Sequence, residues 1–418
     1  MHILPATLRG RFQPPPSKSH TLRALLFAAL AEGKSRIRKP LLSPDTEAMV
    51  AAIEAMGASV DRRSREWVIE GGHLSAPRHP IDAGNSGQVL RFIGAIASLC
   101  EAPSQITGDE SIRCRRPLLP LVEGIRQCGG RAWVTASGHA PLFVEGPRKG
   151  GDVIIEGEDS QPISALLIAS ALAEGVTHLY VGGAGEHPWV DLTLAWMTRL
   201  GLSFRREGYA HYVVPGGQRI APFVYEVPAD WSSASYPLAM ALIGRTRVMA
   251  QGVDLTHEQG DAILIDAFQA MGGVCHDLGN KKIEVRGEGG YYGQVIDLNR
   301  CIDALPLLAV MGCFAQSPMR LFNGAIARRK ESNRMEVIAK ELRKMGAKIR
   351  LTHDTMEITP TPLKGAHLQS HEDHRIAMAL TVAACGAETP SFLEGHEAVI
   401  KSYPHFFATM ESLGARLT

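Results

Sequence analysis

The chain of 418 residues repeats itself six times, and that repetition limits its fold more than any other feature. Six segments read as the end of an amphipathic helix, then glycine, then a strand-like run. They lie at 53–60, 125–134, 197–204, 268–274, 342–349 and 410–417, and carry Gly57, Gly129, Gly201, Gly272, Gly346 and Gly414. These glycines stand 72, 72, 71, 74 and 68 residues apart. Glycine suits the position because helices commonly end on a left-handed residue. A second register has the same period. Six apolar helices rich in small residues open near Ser19, Gly87, Ser160, Ser232, Asp303 and Asp373, spaced 68, 73, 72, 71 and 70 residues apart. Each unit therefore holds one helix apolar enough to be buried and one amphipathic helix, with strands between, and reads as βαβαββ.

Helices that are apolar all round need cover on every side, so the copies must group around them. The expected fold is α/β (α+β), with two similar lobes of three repeats each around buried parallel helices. One lobe is expected at 16–228. The other is expected to combine 1–15 with 229–418, with hinges near 14–17 and 226–230. The triproline at Pro14, Pro15 and Pro16 would be one crossover and 223–229 the other, placing the N-terminal strand with the C-terminal half. If equivalent helices point the same way, their N-termini converge on one cleft and their partial positive charges face an anion.

Composition narrows the chemistry. Basic and acidic residues nearly cancel, 44 against 43, so no bulk field favours nucleic acid or an anionic membrane. Any anion site must be local. Seven scattered cysteines without a CxxC pair argue for reduced thiols and a cytoplasmic location. The N-terminus shows no signal-peptide pattern, and the longest apolar run, near 305–315, is too short to span a bilayer.

The chemistry-bearing residues gather at the helix openings. Lys18 and Ser19 start the first buried helix, with Arg23 one turn along, an arrangement suited to a carboxylate or phosphate. A capped core helix with two solvated cations reads equally well. Gly87 opens the second helix, where Asn85 can cap and glycine permits close approach. Arg116 precedes Pro117 at an expected helix start. Asp159 reads as an N-cap, Ser160 and Gln161 as neutral hydrogen-bonding groups at the helix mouth, and Pro162 suits the first helical position. Lys330 and Arg334 are expected on one helical face, with Glu331 among four cations as a possible general acid. Asp303 is either a cap or a base toward a substrate hydroxyl. Arg375 and Lys401 read as further clamps. The His371, Glu372, Asp373, His374 cluster lacks metal-site spacing, so no metal is expected.

Together these motifs resemble the 5-enolpyruvylshikimate-3-phosphate synthases along essentially the whole chain. The resemblance rests on Ser17-Lys18-Ser19 with Arg23, on 84–87, Arg116-Pro117, Ser160-Gln161, 230–235 and Asp303-Ala304. It continues through Lys330 to Arg334, Asp373 to Arg375, and 401–404, all in family order. It implies an inverse α/β prism of two lobes. It also implies transfer of the enolpyruvyl group of phosphoenolpyruvate to the 5-hydroxyl of shikimate 3-phosphate, on the route to chorismate and aromatic amino acids. The reaction proceeds by addition and elimination, without cofactor, in a cytoplasmic monomer. The implied catalytic residues are Asp303 as base, Glu331 as proton donor, and Lys18. Shikimate 3-phosphate would be held by Lys18, Ser19, Arg23, Ser160, Gln161, Asp303 and Lys330. Phosphoenolpyruvate would be held by Lys18, Gly87, Arg116, Gln161, Arg334, Arg375 and Lys401. Lys18→Ala is expected to abolish turnover with little loss of stability.

The chain departs from the commonest family pattern in four places. Asp159 and Glu186 stand where serines are common, Trp189 where tyrosine is usual, and Ile326 where some members have asparagine. Two acids near a bound phosphate would repel it unless turned away or paired. The nearest alternative is the sister transferase acting on UDP-N-acetylglucosamine. It resembles a Lys-Asn pair at the Lys18-Ser19 position and a loop cysteine where this chain has Ser111. A non-catalytic anion-binding relative is a further alternative, opposed by the presence of Lys18, Asp303 and Glu331.

Overall fold

The computed structural model describes residues 1–63, 66–255 and 259–418. The chain divides into two compact units, Lys18–Val227 and Met1–Ser17 with Pro228–Thr418. Each unit has its own hydrophobic core, and no core residue is shared.

Among the described residues six four-stranded sheets share one pattern. In the third repeat, Lys149–Glu156 runs parallel to Glu174–Gly182. That strand pairs antiparallel with His211–Pro215, which pairs antiparallel with Arg205–Glu207. The parallel pair is joined by the buried helix Ser160–Leu172, as a parallel connection requires a crossover. The next connection carries the amphipathic helix His187–Arg199. The alternation of Val153, Ile155, Leu179, Val181, Tyr212 and Val214, all buried, turns one face of this sheet to the core.

Three repeats are completed by strands distant in sequence. Val224–Glu226 pairs parallel with Gly33–Arg38 and supplies the first strand of repeat one. Gly10–Phe12 pairs parallel with Arg247–Gln251 and does the same for repeat four. His2–Leu4 fills the third position in the sheet of repeat six, between Ser391–Glu394 and Arg416–Leu417. The N-terminal strands thus belong to the unit that contains the C-terminus.

The six buried helices are Lys18–Leu30, Gly87–Ala97, Ser160–Leu172, Trp231–Ile243, Leu305–Phe314 and His374–Gly386. Small residues let their neighbours approach closely. Each fully buried leucine among them contributes about 1.5–3 kcal/mol of apolar transfer. Among the described residues no helix is long and apolar enough to cross a membrane.

All six repeat glycines have positive φ: 108° at Gly57, 79° at Gly129, 74° at Gly201, 106° at Gly272, 96° at Gly346 and 114° at Gly414. Each closes its helix the same way. Gly201 donates its N–H to Thr198 O at 3.1 Å, and Leu202 donates to Met197 O at 2.9 Å. The other five make the equivalent pair, a Schellman closure that satisfies the last helical carbonyls. Gly201→Ala meets no atom within 4 Å, so its expected cost is the left-handed backbone alone, about 1 kcal/mol. Gly57→Ala is expected to cost more, because its Cβ would lie 2.4 Å from His73 O. Urea unfolding of the two variants beside the parent gives the ordering directly.

Candidate active site

In the unit Lys18–Val227 the openings of the three buried helices are tied together by side chains. Arg91, one turn into the second helix, donates from Nη1 to Gln161 Oε1 at 3.1 Å, and its Nη2 lies 3.0 Å from Asp159 Oδ2. Gly87 faces the same group. A Cβ there would sit 2.8 Å from Arg116 Nη1, 2.9 Å from Arg91 Nη1 and 3.0 Å from Gln161 Oε1, so only glycine admits all three. Arg23 is fully buried. Its guanidinium donates to Thr193 Oγ1 at 3.0 Å, to Ser19 O at 3.2 Å and to Trp189 O at 3.2 Å, and it lies over the Phe92 ring. Thr193 in turn donates to Ser164 Oγ on the third helix at 2.9 Å. Burial pulls the Arg23 pKa down, yet an arginine keeps its charge near neutral pH. Here that charge is met by neutral oxygens, which leaves its field available to a carboxylate. Lys18 Nζ lies 3.2 Å from Asp45 Oδ2.

In the other unit the centre is Arg334, buried at the first position of the helix Arg334–Lys344. It donates to Asp303 Oδ1 at 2.6 Å, Glu331 Oε2 at 2.7 Å and Asp373 Oδ2 at 2.8 Å. Burial opposes its charge, but Asp373, Glu331 and Asp303 outweigh that and hold its pKa well above the usual value. Arg375 Nη2 donates to Asp303 Oδ2 at 3.0 Å, and Lys401 Nζ to Glu331 Oε1 at 3.1 Å. Burial would raise the Asp303 pKa; Arg375, Arg334 and Lys330 reverse it and hold the carboxyl below the ordinary range. Asp261, beyond Arg375, receives the Ser232 hydroxyl, and its pKa is pushed up by burial against the pull of Arg375. The starts of the fourth, fifth and sixth buried helices therefore meet in one charged network.

Several local expectations change. Ser86, not Asn85, caps the second helix, accepting from Val89 N–H. The Ser160–Leu172 helix begins two residues before Pro162, and the helix after Arg116 starts at Leu119, so Pro117 lies in the preceding loop. Lys330 also precedes its helix, which starts at Arg334 and is capped by Asn333, so the two cations do not share a helical face. Arg328 turns away to Glu336 and the carbonyls of Thr352 and His353. Asp303 is no cap, because the fifth helix has Ala304 in that place and the aspartate is spent on two arginines. His371 pairs with Glu341 at 3.0 Å while Asp373 caps the sixth helix, so that cluster diverges. Among the described residues, no three His, Cys, Asp or Glu side chains are placed to hold a metal.

Arg91, Asp373 and Asp261 were not among the residues expected at these sites. A signal existed for Asp373: Asp159, Asp230 and Asp373 each stand immediately before a buried helix and each caps it.

The sequence model of the EPSP synthase (3-phosphoshikimate 1-carboxyvinyltransferase) family matches residues 4–410. The chain belongs to the EPSP synthase family. A 3-phosphoshikimate 1-carboxyvinyltransferase of Chlamydia muridarum is 40% identical over 423 residues, covering 99% of this chain and 95% of that protein. The protein of that name from Acetivibrio thermocellus is 38% identical over 412 residues, 98% of this chain and 97% of its own. The solved EPSP synthase of Acinetobacter baumannii superposes with a TM-score of 0.80 at 26% identity, covering 99% of this chain and 98% of that one. The family's α/β fold is thus the fold of this chain.

In this EPSP synthase family member both unusual acids are paired. Asp159 Oδ1 accepts the Gln161 N–H at 2.9 Å and its other oxygen meets Arg91. Glu186 Oε2 accepts the Ser160 N–H and the Ser160 hydroxyl, each at 2.9 Å. The Lys18–Asp45 contact bears on the stability of Lys18→Ala. Asp45 is buried, so removing the Lys18 ammonium is expected to cost roughly 1–2 kcal/mol, tempered by the place of Asp45 in the first turn of the Pro44–Ala55 helix. A thermal midpoint unchanged in Lys18→Ala would contradict that pairing.

Proposed function

We propose that the chain transfers the enolpyruvyl group of phosphoenolpyruvate to the 5-hydroxyl of shikimate 3-phosphate and releases inorganic phosphate. The observation that carries the reading is the network in which Arg334 binds Asp303, Glu331 and Asp373 while Arg375 and Lys401 close it from either side. It sets a carboxylate kept ionised beside a second carboxylate held by two cations.

Asp303 takes the proton of the attacking hydroxyl, with Lys330 beside it, and the oxygen bonds to the central carbon of phosphoenolpyruvate. Glu331 gives a proton to the methylene carbon, which becomes a methyl group. The tetrahedral adduct then loses a proton from that methyl group and expels phosphate, breaking the carbon–oxygen bond. Lys18, Gly87, Arg116, Gln161, Arg334, Arg375 and Lys401 are assigned to phosphoenolpyruvate. Lys18, Ser19, Arg23, Ser160, Gln161, Asp303 and Lys330 are assigned to shikimate 3-phosphate. Support comes from the neutral partners of Arg23 and from the packing of Arg116 against Gly87.

In this network Arg334 and Lys401 each hold one oxygen of Glu331, which is a tenth exposed. An incoming carboxylate or phosphate competes for both cations, so substrate binding and the general-acid step are coupled through those two side chains. The reaction needs no cofactor and no second copy of the chain. The seven cysteines are free thiols, consistent with the cytoplasm.

Phosphate release from the full chain tests the reading. It is expected only when both substrates are present, and UDP-N-acetylglucosamine is not expected to replace shikimate 3-phosphate. Tight binding of shikimate 3-phosphate without phosphate release would identify a non-catalytic relative instead.

A further inference from the structure

We propose that Glu186 is a specificity-determining residue whose carboxylate holds the place at Ser160 that the substrate phosphate takes, so that the phosphorylated substrate must displace it. The inference rests on the function proposed above. Glu186 is buried, with 1% of its surface exposed. One of its oxygens receives both the backbone N–H and the hydroxyl of Ser160. Those are the donors that a phosphate oxygen would seek at the start of the Ser160–Leu172 helix. A carboxylate and a phosphate dianion cannot share them, and as like charges they repel at contact distance.

The placement of Glu186 is built into the chain. Its backbone adopts φ 50° and ψ 40° immediately before the helix His187–Arg199. The neighbouring His187 ring is fixed by Ala184 O at 2.9 Å and stacks on Tyr209 at 3.8 Å. Asp159 differs in kind. It caps the Ser160–Leu172 helix through Gln161 N–H and meets Arg91, leaving both Ser160 donors to Glu186. Phosphate binding therefore requires Glu186 to turn out while Asp159 stays. Shikimate without its phosphate makes no such demand.

Calorimetric titration of the full chain with shikimate 3-phosphate, shikimate and inorganic phosphate tests this in the parent, Glu186→Gln and Glu186→Ser. Removing the charge is expected to tighten shikimate 3-phosphate and inorganic phosphate about tenfold and to leave shikimate unchanged. Glu186→Gln keeps the side-chain volume and an acceptor for Ser160, so it decides the matter if Glu186→Ser does not fold. Equal or weaker binding of phosphate-bearing ligands by folded Glu186→Gln overturns the inference, as does equal tightening of shikimate. Inorganic phosphate needs no turnover. An inactive parent protein would therefore count against the proposed function, while the phosphate titration would still decide the role of Glu186.

Discussion

Arg334→Met is expected to be the most damaging single substitution in the chain, costing about 3–5 kcal/mol at pH 7 and abolishing turnover. Methionine fills similar space but removes the cation shared by three carboxylates, Asp303, Glu331 and Asp373. Arg375 still reaches Asp303 and Lys401 still reaches Glu331, so the loss falls hardest on fully buried Asp373. The pH dependence has a definite sign. In the parent, the Asp303 pKa lies below its unfolded value near 4. Its stabilisation is therefore complete above that value and is lost as pH falls through the folded pKa. Without Arg334 the folded pKa rises and protonation relieves the strain sooner. The gap between parent and variant is expected to narrow from pH 7 toward pH 4. Urea unfolding across that range measures it, and a gap constant with pH would show that the damage is packing alone.

Glu331→Gln is expected to leave the fold intact and to lower kcat by about 10²–10⁴-fold with little change in KM. The amide keeps the shape but only one acceptor oxygen, so it can hold Arg334 Nη2 or Lys401 Nζ and not both, and it has no acidic proton to give. A parallel rise in KM would mean instead that Glu331 mainly positions Arg334 and Lys401. Steady-state rates with phosphoenolpyruvate varied at saturating shikimate 3-phosphate separate the two.

The fold was legible because its signals are periodic. Six glycines at a spacing of about 70 residues predicted six helix ends, and all six adopt the left-handed conformation that only glycine takes easily. The apolar helices were legible from composition, since no face of them tolerates water. The exchange of Val224–Glu226 and Gly10–Phe12 between sequence-distant repeats was less so, because short strands carry little pattern of their own. At the site, residue types were readable and pairings were not. Nothing in the sequence ties Arg334 to Asp373 across 39 residues, or Arg91 to Gln161 across 70. Proline misled twice, at Pro117 and Pro162, because it marks the neighbourhood of a helix start and not its first residue. Glu186 stood out as a departure, but only its contacts with Ser160 give it a physical role.

Running the reaction in heavy water and weighing the product reports on addition through a protonated methylene carbon. A methyl group formed by a proton from Glu331 rotates before elimination, so deuterium is expected on the vinylic carbon of the product and of recovered phosphoenolpyruvate. The same label should be nearly absent with Glu331→Gln. Product formed by the parent protein in heavy water with no vinylic deuterium would rule out a methyl-bearing adduct on the path.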